Sequence, residues 1–180
     1  MKKILLAILG LFIMLTVVSC KDNKKAVEED LVNSIEALKK GDFSSIKDGA
    51  ENREALEIFR EAYPKLTYKI NNVTEDSKDK VVVNVTMKYP NLESGGEILK
   101  KKIIRNAMEL RKKSNVDMEN EIRKLMKESI EEKLKDPGLK YSEETFDVVY
   151  VKNSGKWITS DEDNKQFIKA TTFNFNMNQK

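Results

Sequence analysis

Apolar residues recur every three or four positions in the first polar stretch of the chain, at Val27, Leu31, Ile35 and Leu38. That spacing lines one face of a helix, predicted over Ala26 to Lys40. Acidic Glu28, Glu29 and Asp30 stand at its start and Lys39 and Lys40 at its end, as the helix dipole favours. Gly41 is placed to cap it in the left-handed conformation open to glycine. A second helix is predicted from about Asp48, carrying Ala55, Leu56, Phe59, Ala62 and Tyr63 and ended by Pro64.

The period then changes to two. "LTYKINNV" alternates through Leu66, Tyr68 and Ile70, and "DKVVVNVTMKY" through Val81, Val83, Val85, Met87 and Tyr89. Both read as strands, joined by "TEDSKD" as a polar turn. Helical spacing returns after Pro90. "SGGE" from Ser94 to Glu97 has the form of a capping box, ahead of Leu99, Ile103, Ala107 and Leu110. A second cap at Ser114 to Asp117 predicts a break, after which Met118, Ile122, Leu125, Met126, Ile130 and Leu134 continue until Pro137-Gly138. Last come the strand "TFDVVYV", the turn "KNSG", the strand "KWIT" and a short helix with Phe167 and Ile168 behind a cap at Ser160 to Asp163. The expected fold class is α+β: N-terminal helices packed on a curved antiparallel sheet of two hairpins, about four strands, with a long helical segment between the hairpins.

The N-terminus follows different rules. Lys2 and Lys3 precede an apolar run of 15 residues, Ile4 to Val18, too short for an ordinary membrane span of roughly 20. A positive start, a short apolar core and the small Ser19 read as a secretory signal peptide. The next residue, Cys20, is the only cysteine in the chain. Val17-Val18-Ser19-Cys20 resembles a bacterial lipobox, in which the cysteine sulfur, a strong nucleophile as thiolate, is alkylated by a lipid donor before cleavage. The resemblance implies a mature chain beginning at Cys20, with cleavage between Ser19 and Cys20. Removing 19 of 180 residues leaves 161, and losing Lys2 and Lys3 lowers the net charge from +3 to +1.

Those numbers narrow the picture. One domain of this length builds a real core, and with no second cysteine it does so without an internal disulfide. A charge near neutral gives no ground for nucleic acid. The resemblance further implies a cell-envelope protein, lipid-anchored on the extracytoplasmic side of a membrane. Lys21 stands where retention at an inner membrane calls for an acidic residue, which leans towards the outer membrane where the cell has one. The domain scheme is then 1–19 signal peptide, 20–25 lipidated cysteine and basic tether, 26–172 the α+β domain and 173–180 a tail, "FNFNMNQK", whose packing the pattern leaves open.

Candidate chemistry is sparse. The chain has no histidine, which removes the commonest acid/base and metal ligand. "DSKD" and "DEDN" lack the spacing of a calcium loop and "SGGE" that of a phosphate loop, so no metal or cofactor is expected. Asp147 lies within a strand on the face of Val149 and Val151, opposite Phe146, Val148 and Tyr150; lining a cavity it is a candidate site, facing water a solubilising residue. Tyr68 and Tyr150 are the other candidates for a ligand pocket. Between Lys100 and Lys113 seven basic residues face one acid, Glu109. Lys101, Lys102, Arg105, Lys112 and Lys113 share a polar helix face, a candidate contact for anionic lipid, lipopolysaccharide or an acidic partner such as an envelope protein, or else a solvated surface balanced by later glutamates.

"ALKKGDF" (Ala37 to Phe43) and "VVYVKNSGKWIT" (Val148 to Thr159) carry a resemblance to the nuclear transport factor 2-like, cystatin-like α+β architecture, over about residues 26 to 160. It implies a curved sheet wrapped round a helix as a cone, in some members with a ligand pocket, and it hosts many functions. The expected function is a membrane-anchored envelope lipoprotein with a non-catalytic binding or scaffolding domain. The alternatives are a small-ligand-binding or minor enzymatic cone, and a surface interaction protein of the adhesin or immunity type.

Overall fold

The computed structural model describes residues 22–44 and 49–176. The expected signal peptide, Ser19 and Cys20 lie outside the described residues, as does the expected start of the second helix at Asp48. The described chain forms six α-helices, one 3-10 turn and a single four-stranded antiparallel sheet in the order β1-β2-β3-β4.

Helix α1 spans Asn23–Lys40. It begins three residues earlier than the apolar spacing predicts, because the Asp22 side chain accepts the Lys24 N–H at 3.1 Å and satisfies an orphan donor. Gly41, with φ 66°, ends it as expected, its N–H bonding the Leu38 carbonyl at 2.9 Å. Val27, Leu31 and Ile35 are wholly buried. Helix α2 (Gly49–Glu57) stops sooner than predicted, and Pro64 sits inside a 3-10 turn, Tyr63–Lys65, instead of ending a helix. The chain tightens to i→i−3 bonding there, with the Phe59 N–H on the Leu56 carbonyl and the Ala62 N–H on the Phe59 carbonyl, while Ile58, Phe59, Ala62 and Tyr63 still face the core as the predicted stripe requires.

Strands β1 (Thr67–Ser77) and β2 (Lys80–Pro90) form the first hairpin. The predicted six-residue turn is mostly strand, leaving only Lys78 and Asp79 to reverse the chain. Strand β1 carries an extra residue at Asn71 and another at Asp76. The first bulge shifts the inward positions from Tyr68 and Ile70 to Val73, so the alternation changes phase without the strand ending. On β2 the alternation holds throughout: Val81, Val83, Val85, Met87 and Tyr89 are all fully buried.

Helices α3 (Gly95–Arg105), α4 (Ala107–Leu110) and α5 (Asn115–Leu134) follow. Ser94 is not the expected cap: its backbone is already helical (φ −69°, ψ −10°) and its hydroxyl makes no cap bond. Gly95 serves a different end, since a Cβ there would stand 2.9 Å from the Phe175 ring. The cap at Ser114 does form, its hydroxyl accepting the Asp117 N–H at 3.2 Å. A second interruption, at Asn106, was not foreseen.

Strand β3 (Tyr141–Asn153) pairs with β2 along its length, and the short β4 (Lys156–Thr159) pairs with its end. Ser154 and Gly155, at φ 50° and 79°, make the tight turn. Where β4 stops, the Asn164 side chain replaces it: its carbonyl accepts the Val149 N–H at 2.8 Å and its amide donates to the Val149 carbonyl at 3.0 Å. Helix α6 (Lys165–Thr171) returns over the sheet.

The core extends past the predicted domain end at 172. Phe173 is fully buried with its ring 5.8 Å from Phe59, 5.2 Å from Tyr63 and 6.3 Å from Tyr89. Its carbonyl accepts the Leu92 N–H at 2.8 Å. Fully burying one large apolar side chain contributes roughly 1.5–3 kcal/mol.

Candidate functional site

The structure separates the three residues proposed for a pocket. Asp147 is exposed on the outer face of the sheet, where it accepts a hydrogen bond from Asn84 Nδ2 at 2.7 Å. It joins a polar ladder that also holds Asn71, Thr86 and Thr145. Tyr150 is buried on the opposite face. Tyr68 is half-buried beneath the end of α1, with Lys39 Nζ 5.6 Å from its ring centre. Burial, and then the neighbouring Glu36 carboxylate, push the Tyr68 hydroxyl above its usual range. Asp147 therefore cannot share a cavity with the other two, because alternate strand residues point to opposite faces.

A different carboxylate meets Tyr150. Asp30, on α1, is 7 % exposed, and the Tyr150 hydroxyl donates to its Oδ2 at 3.2 Å. Its Oδ1 has no hydrogen-bond partner among the described residues. Burial raises the Asp30 carboxyl to about 6, against a smaller lowering by the Tyr150 hydroxyl. Burial, then the Asp30 charge, push Tyr150 well above 10. The sequence reading assigned Asp30 to the helix dipole and missed this. The available signal was position: Asp30 follows Val27 by three residues and precedes Ser34 by four, and all three are buried.

The basic segment is also redistributed. Lys102 turns inward between α3 and α5, 3.1 Å from Glu132 and 3.6 Å from Glu128. Lys113 pairs with Glu121 across the elbow, and Lys112 with Glu109 beside it. Lys101 and Arg105 remain exposed. The five residues therefore do not form one face: Lys102 and Lys113 tie the helical hairpin together, whereas Lys101 and Arg105 remain available to a partner. Leu99 and Leu110 are buried opposite them, as the spacing predicts.

Open grooves lie elsewhere among the described residues. One, of about 340 Å³, runs along α6 and the tail past Glu93, Lys165, Lys169 and Phe175. Another, of about 380 Å³, lies between Lys65 and the end of α5 at Glu131 and Leu134. Among the described residues no cluster of three or more acidic, histidine or cysteine side chains is arranged to hold a metal. Among them, too, no helix is long and apolar enough to cross a membrane.

No family model and no curated protein matches the sequence. Among solved structures the chain is similar to a Bacillus subtilis protein, ycdA, whose crystal structure carries the provisional name of lipoprotein. The identity is 18 % and the TM-score 0.41, over 79 % of this chain and 46 % of that one. The chain thus spans less than half the length of the structure it matches. Nothing functional follows from a likeness this distant.

Proposed function

We propose that this chain is a bacterial envelope lipoprotein, anchored through Cys20, whose α+β domain binds or scaffolds a component at the membrane without catalysing a reaction. The observation that carries the reading is the single cysteine behind Val17-Val18-Ser19 at the end of a short apolar run. The start of α1 sharpens it. With Asp22 as the cap, only Lys21 and Asp22 lie between Cys20 and the first helical residue, so the tether shrinks from five residues to two. Two residues reach at most about 7 Å. A domain tethered so closely acts at the bilayer surface. Two or more acyl chains make such an anchor stable, at about 0.8 kcal/mol per buried methylene.

The non-catalytic part rests on the inner face of the sheet. Tyr150 and the β2 residues meet packed side chains of α1, α6 and the tail, and the chain has no histidine. The sheet order β1-β2-β3-β4 behind α1, with three helices between β2 and β3, is compatible with the cystatin-like arrangement that "ALKKGDF" and "GKW" resemble, an arrangement shared by binders, scaffolds and enzymes. Metabolic labelling with a clickable fatty acid tests the anchor. The wild-type chain takes up label and stays in the salt-washed membrane fraction; Cys20→Ala loses both. Normal processing and retention of Cys20→Ala would refute the reading.

A further inference from the structure

Four large hydrophobic side chains stand exposed among the described residues: Ile104 (66 %), Met108 (76 %), Val116 (68 %) and Tyr141 (46 %). Three of them fall between residues 104 and 116, at the elbow that joins α3 to α5. Helical i→i−4 bonds bridge the interruption at Asn106, whose N–H reaches the Lys102 carbonyl at 3.0 Å and whose carbonyl accepts the Leu110 N–H at 2.9 Å, so the helical phase carries across it. At about 100° per residue, Ile104 and Met108 lie roughly 40° apart on the outward side. On the same wheel Lys100 and Arg111 flank them on one side, and Lys101, Arg105 and Lys112 on the other. The ion pairs of this segment are made by Lys102, Lys112 and Lys113. Lys100, Lys101, Arg105 and Arg111 have no acidic partner among the described residues. The one acid within the outward row is Glu97, at the opposite end of α3.

Packing does not account for the apolar pair. Leu99, Leu110 and Ile122 already supply the buried contacts of this hairpin, and exposing Ile104 and Met108 costs solubility without adding to the core. An apolar row with cations along both sides matches a planar boundary between acyl chains and phosphate headgroups.

We propose that the elbow is a second membrane contact, in which Ile104 and Met108 enter the acyl boundary of an anionic bilayer while Lys100, Lys101, Arg105 and Arg111 meet its phosphates. The inference rests on the anchored reading above. Tethering at Cys20 makes the contact intramolecular, so weak docking suffices.

The test uses the full chain, extracted in detergent and reconstituted into vesicles with or without phosphatidylglycerol. With Cys20 acylated, Met108→Cys supplies the single thiol for a fluorophore, and Glu143→Cys, exposed on β3 opposite Lys88 and away from the Asn23–Glu75 contact beside the anchor, supplies a control. On anionic vesicles the label at 108 is shielded from iodide and quenched by brominated lipid, whereas the label at 143 stays open to iodide. Replacing phosphatidylglycerol with phosphatidylcholine reverses this at 108. Lys101→Gln and Arg105→Gln each lower the docked-to-free ratio about fivefold, as expected for one basic residue at an anionic surface. Intact mass keeps the two readings apart. A chain without lipid mass overturns the anchored reading and this inference with it. A lipidated chain whose label at 108 stays open to iodide overturns this inference alone. A label open on vesicles but shielded in native membranes overturns it in favour of an acidic protein partner.

Discussion

Asp30 makes the stability of the domain depend on pH in an unusual direction. A carboxyl that moves from an ordinary 3.8 to about 6 on folding holds its proton about 3 kcal/mol more tightly in the folded chain. Protonation therefore stabilises. The gain is complete below about 3.8 and is lost as the pH rises through about 6. Between pH 7 and pH 5 the expected change is about 1.3 kcal/mol in favour of the fold. Asp30→Asn keeps the shape and an acceptor for Tyr150 but cannot titrate, so it lacks this contribution. The assay is urea unfolding of residues 20–180 carrying Cys20→Ser, followed by Trp157, the sole tryptophan and 5 % exposed. At pH 7 the Asn variant is at least as stable as the parent, and its advantage shrinks by about 1.3 kcal/mol on going to pH 5. Asp161 is also raised by burial, but it is present in both proteins and cancels in the difference. A difference constant to within about 0.3 kcal/mol across that range would show that Asp30 is not the buried titrating group.

Two further substitutions probe the core. Phe173→Ala removes the ring that meets Phe59, Tyr63 and Tyr89 and costs about 3–5 kcal/mol in urea unfolding; a loss under about 1 kcal/mol means that the tail is not part of the cooperative unit. Tyr63→Phe removes a hydroxyl that is buried with no partner among the described residues and raises stability by about 1 kcal/mol. A fall of the same size identifies a bound water at that hydroxyl.

The sequence exposed those elements whose burial follows one period. Val27 to Leu38 reads as α1 and Val81 to Tyr89 as β2 because each places a single uninterrupted stripe against the core. The end of β1 was hidden for the opposite reason. Thr74, Glu75, Asp76 and Ser77 lie on an exposed edge strand, where polar residues are favoured and resemble a turn. Asn71 hid the strand further, since a bulge changes the phase of the alternation. Ser94 misled because its spacing to Glu97 suits a cap that its dihedral angles do not adopt. At the candidate sites the pattern placed Asp147 correctly on the face opposite Tyr150 but could not tell which face was wet. Lys102 was indistinguishable from Lys101 by type, and only the return of α5 with Glu128 and Glu132 separates them. Asp30 was concealed among helix-start acids, although its position relative to Val27 marks the buried side.

The place of Phe173 bears on when the protein can fold. The ring that fills the space between Phe59, Tyr63 and Tyr89 comes more than 80 residues after the last of these three. The Leu92 N–H depends on the same residue for its acceptor. A chain emerging from its N-terminus has α1, β1 and β2 available long before this plug arrives, and an unfilled apolar socket leaves its walls poorly packed. Closure of the core therefore waits until Phe173 has been delivered. Until that residue arrives, the earlier elements have no complete core to close on and the chain stays loose.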